Sequence, residues 1–248
     1  MKKLDMSAVA RFVNENIVTF HEAKLHTLEA LDLKTLLRRK NPYLFKAKNV
    51  VVASELIQGF LDALLSSSEE RLFGDFLEEL AIFVSERTSN GRKSGIEGID
   101  LEFARKGIHH LVSIKSGPNW GNNAQQKKQE QDFQRALKVF RQSRRARNVQ
   151  PLLGICYGRQ RTTQLRGYLK VVGQNFWYLI SGNPELYTQI VEPLGHRAKE
   201  HNDQFREQLA GLANRLTAQF IKDFCSENGA IDWKRLVQFN SGNLDLKQ

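Results

Sequence analysis

Gly98-Ile99-Asp100-Leu101-Glu102-Phe103 and Leu111-Val112-Ser113-Ile114-Lys115-Ser116-Gly117 read as two short strands, with residues 104–109 as a tight connection. Alternate strand residues face opposite sides. Ile99, Leu101 and Phe103 then share one face and leave Asp100 and Glu102 on the other. On the second strand Val112 and Ile114 share a face and leave Leu111, Ser113 and Lys115 opposite. If both apolar faces meet the same core, a carboxylate and an ammonium converge on one side of a hairpin. The plainer alternative is a hairpin with one solvated face, where such residues are ordinary, and short spacings of this kind arise often by chance.

The flanks predict what surrounds the hairpin. Upstream, Ser67 and Glu70 form a capping-box pattern, and the helix they open runs to about Glu86 with Leu72, Phe73, Phe76, Leu77, Leu80, Phe83 and Val84 as its apolar stripe. At helical spacing Glu79 falls at the edge of that stripe and Glu78 opposite it, so Glu79 is expected to face the sheet and Glu78 water. Residues 88–98 read as a glycine-bearing loop. Downstream, Ser-Gly-Pro-Asn-Trp-Gly-Asn-Asn (116–123) is a polar loop. A basic helix over about 124–145 buries Phe133, Leu137 and Phe140. The continuous apolar run 152–157 suits a strand covered on both faces, joined by a right-handed crossover, and 168–172 gives another strand. Towards the N-terminus Ser7 is expected to cap a first helix, Asn41-Pro42 breaks the helical run, and Ser54 opens a further helix. From residue 175 the chain reads as helical, with a long helix over about 199–225. The expected organisation is an N-terminal helical region (1–66), for DNA binding or dimerisation, a core (67–174), and a C-terminal helical region packed on it (175–248).

Composition narrows the partners. The 248 residues carry a formal net charge of +10, and the excess is clustered. One group is Lys127, Lys128, Arg135, Lys138, Arg141, Arg144, Arg145 and Arg147; a second is Lys34, Arg38, Arg39, Lys40, Lys46 and Lys48. Clustered cations suit a polyanion, because neutralising phosphates releases counterions; a merely soluble basic surface is the alternative. No stretch approaches the roughly 20 apolar residues that cross a bilayer, and residues 1–6 turn polar before a signal-peptide core forms, so a cytoplasmic location and no membrane partner are expected. Cys156 and Cys225 show no ligand spacing, and Cys156 reads as a small buried hydrophobe. His109 and His110 are adjacent, so on a strand they point to opposite sides and make a poor metal pair.

An acid on one strand, a lysine on the next and a glutamate on the preceding helix resemble the PD-(D/E)XK nucleases. Longer segments are similar to Type II restriction endonucleases of the PmeII-like branch: 41–49 (Asn-Pro-Tyr-Leu-Phe-Lys-Ala-Lys-Asn), 73–79, 94–103, 112–122 and 180–187 (Ile-Ser-Gly-Asn-Pro-Glu-Leu-Tyr). The resemblance covers about residues 1–225. It implies an α/β restriction-endonuclease-like core, with a mixed central sheet flanked by helices and helical extensions at both ends.

The resemblance also implies Mg2+-dependent hydrolysis of double-stranded DNA at specific sites, by a homodimer whose cognate DNA methyltransferase is encoded separately. The products expected are a 5′-phosphate and a 3′-hydroxyl. Asp100, the backbone carbonyl of Ile114 and Glu79 would hold the metal, with Glu102 as the second candidate acid, and Lys115 would orient the attacking water. The usual acid two residues before the lysine is Ser113 here. Without a replacement acid the site would be weak, which leaves open a nucleic-acid-binding protein with a decayed site; a repair or structure-selective nuclease is a further alternative. Asn119, Trp120, Asn122 and Asn123 are candidate base contacts, although a structural turn with one packed tryptophan reads equally well. Lys127, Lys128, Arg144 and Arg145 are candidate phosphate contacts, and Arg159, Arg161 and Arg166 lie in a loop that is a further candidate to touch DNA. Gln125, Gln126 and Gln129 open the basic helix and are expected to be solvated.

Overall fold

The protein is described by a computed structural model over residues 1–142 and 148–246. Its elements in order are α1 (Met6–Glu29), α2 (Leu33–Arg38), α3 (Pro42–Ala47), α4 (Ala53–Ser89), β1 (Arg92–Lys93), β2 (Leu101–Arg105), β3 (Ile108–Lys115), α5 (Asn123–Gln142), β4 (Val149–Ile155), β5 (Thr163–Leu165), β6 (Tyr168–Val172), α6 (Gln174–Ser181), α7 (Leu186–Gln189), α8 (Val191–Leu194), α9 (Ala198–Phe224) and α10 (Trp233–Ser241). They fall into two compact units, one of Met1–Val18 with Phe73–His196 and one of Thr19–Leu72 with Arg197 onward.

The first unit is built on a six-stranded sheet in the order β1-β2-β3-β4-β6-β5. The β3/β4 and β4/β6 pairs are parallel and the others antiparallel, so the sheet is mixed. Parallel neighbours cannot be joined by a tight turn, and α5 makes the crossover from β3 to β4. It packs Phe133, Ala136 and Phe140 against Ile99, Leu111, Leu153, Ile155 and Tyr168. Elsewhere Phe176 of α6 closes over Gly154 and Trp177 Nε1 donates to the Cys156 carbonyl at 2.9 Å. Phe12 and Phe83 stack with their rings 4.3 Å apart. Leu101–Phe103 and 110–114 are buried, so the hairpin has no solvated face, and the fold is the expected mixed α/β sheet flanked by helices. His110 stacks on Phe103 whereas His109 lies against Phe140, on opposite sides as the strand alternation requires.

The hairpin is tighter than expected. Arg105 pairs with Ile108, so only Lys106 and Gly107 form the turn. Both have positive φ, +50° and +77°, the backbone that a two-residue turn matched to strand twist demands and that glycine takes without strain. The pairing Leu101↔Val112 puts Asp100 across from Ser113. Ile99 precedes the strand, which begins at Leu101, and joins the cluster of Leu111.

The helical unit has its own core. Leu33, Leu36, Leu37, Leu56, Ile57 and Phe60 pack with Leu212, Leu216, Phe220 and Leu236. Lys24 is buried there, paired with Glu69 at 2.8 Å and lying over the Phe205 ring. The sheet unit takes in Met1–Val18 and residues 175–196, and the helical unit joins Thr19–Leu72 to the chain from Arg197 onward, so the expected regions 1–66 and 175–248 are each divided between the two units.

Local differences have local causes. Asp5, not Ser7, caps α1, since its carboxylate accepts the Ser7 backbone N–H at 2.9 Å. The Ser67/Glu70 pattern starts nothing: α4 runs unbroken from Ala53 to Ser89, and Ser67 Oγ donates to the Ala63 carbonyl one turn back. A mid-helix serine can satisfy itself this way without ending the helix. β1 and β5 are short edge strands whose apolar alternation is too brief to read.

Candidate active site

Asp100 sits just before β2 and is anchored by its own backbone, whose N–H donates to the Val112 carbonyl at 2.8 Å. Its carboxylate Oδ2 accepts the Ile114 N–H at 2.6 Å and faces the Ser113 hydroxyl at 3.3 Å. Oδ1 has no partner among the described residues, so one carboxylate oxygen is left for an external ligand. Lys115 ends β3. Its ammonium donates to the Ile114 carbonyl at 2.8 Å and lies 3.9 Å from Asp100 Oδ2. Both side chains are partly exposed, so the pair lines an accessible surface rather than the core.

The helix-borne acid beside this pair is Glu78, not Glu79. Glu79 is exposed, while the Glu78 side chain is half-buried and lies 3.7 Å from Lys93. Burial raises the Glu78 carboxyl above the usual glutamate range, the charge of Asp100 raises it further, and Lys93 and Lys115 only partly oppose this. A glutamate held back from ionising by burial and a neighbouring carboxylate makes an oxygen-rich spot that a cation would relieve. The usable signal in the sequence was the small buried residues Ala81, Ser85 and Thr88. They rotate the buried arc of α4 towards Glu78, whereas Leu72 and Phe83, which set the expected stripe, are only partly buried.

Glu102 has a structural post. It is buried, accepts from Ser94 Oγ at 2.8 Å and Arg92 at 3.0 Å, and lies 3.5 Å from His109. Burial pushes its carboxyl up, but the hydrogen bonds from Ser94 and Arg92 outweigh this and hold it below the usual range. It ties β1 to β2 and accepts from none of the groups around Asp100.

Gln129 is buried, contrary to expectation. From α5 its Oε1 accepts from Ser113 Oγ at 2.9 Å, and its Nε2 is 3.4 Å from the Gly98 carbonyl. The polar space opposite Asp100 is therefore filled by a hydroxyl and an amide, both uncharged.

The family model for Type II restriction endonuclease EcoO109I matches residues 7–202, most of the chain. The chain belongs to that family. Among curated proteins, none matches it.

In this restriction endonuclease family member, several expected DNA contacts have other duties. Asn122 caps α5: its Oδ1 accepts from Ala124 and Gln125 N–H at 3.1 and 3.0 Å, and Gln125 Oε1 accepts the Asn122 N–H in return. Trp120 packs against the core of the sheet. Asn119, Asn123, Lys127 and Lys128 are exposed, as are Arg159, Arg161 and Arg166. Arg144 and Arg145 lie outside the described residues.

Among the described residues, no three His, Cys, Asp or Glu side chains are grouped as a metal cluster. The oxygen donors at hand are Asp100 Oδ1, the Ile114 carbonyl and Glu78. Hard oxygen ligands with room for water suit Mg2+, which is usually held by one or two carboxylates and keeps several waters, so this donor set fits that ion.

Proposed function

We propose that the protein is a Mg2+-dependent, sequence-specific double-stranded DNA endonuclease of the PD-(D/E)XK type, and within it of the PmeII-like branch. The observation that carries the reading is the 3.9 Å approach of Lys115 Nζ to Asp100 Oδ2 at the open end of a register-locked hairpin. When bound, Mg2+ supplies Lewis-acid stabilisation of charge on the scissile phosphate and eases loss of a water proton.

The chain's own groups do the rest. Asp100 Oδ1, the Ile114 carbonyl and Glu78 would hold the ion; Glu79 and Glu102 would not. The Ile114 N–H, fixed on Asp100 Oδ2, keeps the carboxylate from turning. Lys115 offers an ammonium that orients the attacking water and donates to a phosphate oxygen as negative charge builds on it. Asn119 and Asn123 would reach base edges, and Lys127 and Lys128 would contact phosphates.

Cutting both antiparallel strands calls for two such sites, hence a two-fold homodimer on a palindrome. Such an enzyme in the cytoplasm also requires a DNA methyltransferase to protect the host.

The test is incubation of the protein with phage DNA and Mg2+. Discrete bands that vanish with chelator support the reading. Gel retardation without cleavage supports instead a binding protein with a decayed site, the second reading that the uncharged Ser113–Gln129 pair favours. Cutting confined to branched DNA would point to a structure-selective nuclease.

A further inference from the structure

The second basic group of the sequence, residues 34–48, lies in the helical unit, and most of it is already spoken for. Arg38 lies over the Phe239 ring, Lys46 over Trp233 and Lys48 over Phe45. Lys34 sits beside the Asp32 carboxylate at the start of α2. Arg39 and Lys40 are different. Neither pairs with a carboxylate among the described residues, and both line a cavity of about 570 Å³ together with Thr27, Ser67, Ser68 and Arg71.

The lining is polar and cationic apart from Leu64, and no carboxylate contributes to it. Nearby acids are drawn off: Glu69 to Lys24 at 2.8 Å and Glu29 to His26 at 3.1 Å. The segment that carries Arg39 and Lys40 is held in place, because Asn240 Nδ2 donates to the carbonyls of Leu37 and Lys40 at 2.7 and 3.2 Å. That bond also occupies carbonyls at the end of α2 that would otherwise repel an anion. Burial lowers the Lys40 pKa with no compensating charge. Two cations and adjacent hydroxyls on a fixed backbone, lacking a counter-charge, form an anion receptor.

We propose that this cavity is a phosphate-binding site that takes a backbone phosphodiester of duplex DNA at a distance from the scissile bond. The assignment rests on the DNA-binding reading above. Arg39 supplies a planar fork for two phosphate oxygens, Lys40 a second cation, and Ser68 a hydroxyl donor.

The experiment measures binding of a random-sequence duplex to the full chain in chelator, across a salt series, with melting in inorganic phosphate as a second arm. The paired change Arg39→Gln and Lys40→Gln is compared with Lys34→Gln and Lys222→Gln, which removes the same charge from exposed positions of the same unit. The expected result is that the first pair flattens the slope of log K against log salt by about 0.9, the share of one neutralised phosphate, and that the control pair leaves it unchanged. Ser68→Ala, which alters no charge, should weaken binding at constant slope.

Equal flattening by both pairs, or by neither, overturns the pocket and leaves the nuclease reading standing. If the intact chain binds no duplex, the DNA reading falls. Phosphate that then raises the melting temperature of the intact chain, but not of the Arg39/Lys40 variant, makes the cavity a receptor for free phosphate. Absence of that effect overturns the site altogether.

Discussion

Gln129 accepts a 2.9 Å hydrogen bond from Ser113, and Asp100 faces the same hydroxyl at 3.3 Å. A serine hydroxyl has one proton, and the shorter contact claims it. The position that would complete the charge of the Asp100 site is thus held by a neutral amide. Gln129→Glu places a second carboxylate there. It should lower the melting temperature without metal, through repulsion from Asp100, and raise Mg2+ affinity by roughly tenfold, since ligand charge sets affinity at such sites. Calorimetric titration with Mg2+ checks this. Unaltered affinity would reduce Gln129 to a packing residue.

Lys115→Ala should lower cleavage by about 10²–10³-fold, the loss typical of one donor aimed at developing charge, while gel retardation in chelator stays as strong as in the intact protein. Cleavage at the original rate would remove the ammonium from the chemistry.

Glu78 and Glu79 are neighbours with opposite fates. Glu78→Gln should cut Mg2+ affinity and turnover together, whereas Glu79→Gln should change neither, because Glu79 is exposed. Parallel titrations of the two variants decide between them, and a larger effect at Glu79 would reverse the assignment.

The raised Glu78 carboxyl gives a pH signature. Its folded state holds the proton more tightly than the unfolded chain does. Native stability in chelator should therefore fall as pH rises from the ordinary glutamate value of 4.5 through the raised one, because the folded form there binds the greater number of protons. Mg2+ affinity should climb over the same window, since the metal needs the ionised group. Glu78→Gln should flatten both trends and raise the metal-free melting temperature at neutral pH by roughly 2 °C. Melting curves over a pH series provide the check.

The strands of the hairpin and the buried β4 could be read directly, because their alternation and continuous apolar run are local. So could the convergence of Asp100 and Lys115, which follows from strand parity alone. Which glutamate of α4 is turned inward could not, because helix phase depends on every buried position, and Ala81, Ser85 and Thr88 carry little hydrophobic signal though all are buried. The Ser67/Glu70 pattern misled because a capping motif only matters where a helix has an end. Gln129 was missed for a different reason: its burial comes from α5 lying across the sheet, a contact between elements that no spacing in one segment encodes. The joining of Thr19–Leu72 with the chain from Arg197 onward in one unit is likewise a property of long-range packing.

The turn at Lys106 and Gly107 acts as a ruler. Pairing counted outward from Arg105↔Ile108 fixes which residue stands across from Asp100, so one inserted residue in the turn would shift the count and send Lys115 to the other side of the sheet. Lengthening at residues 159–162, an exposed loop between strands, carries no such penalty. Insertions that this scaffold tolerates are therefore expected in the loops, and grafting onto it must leave those two residues in number as they are.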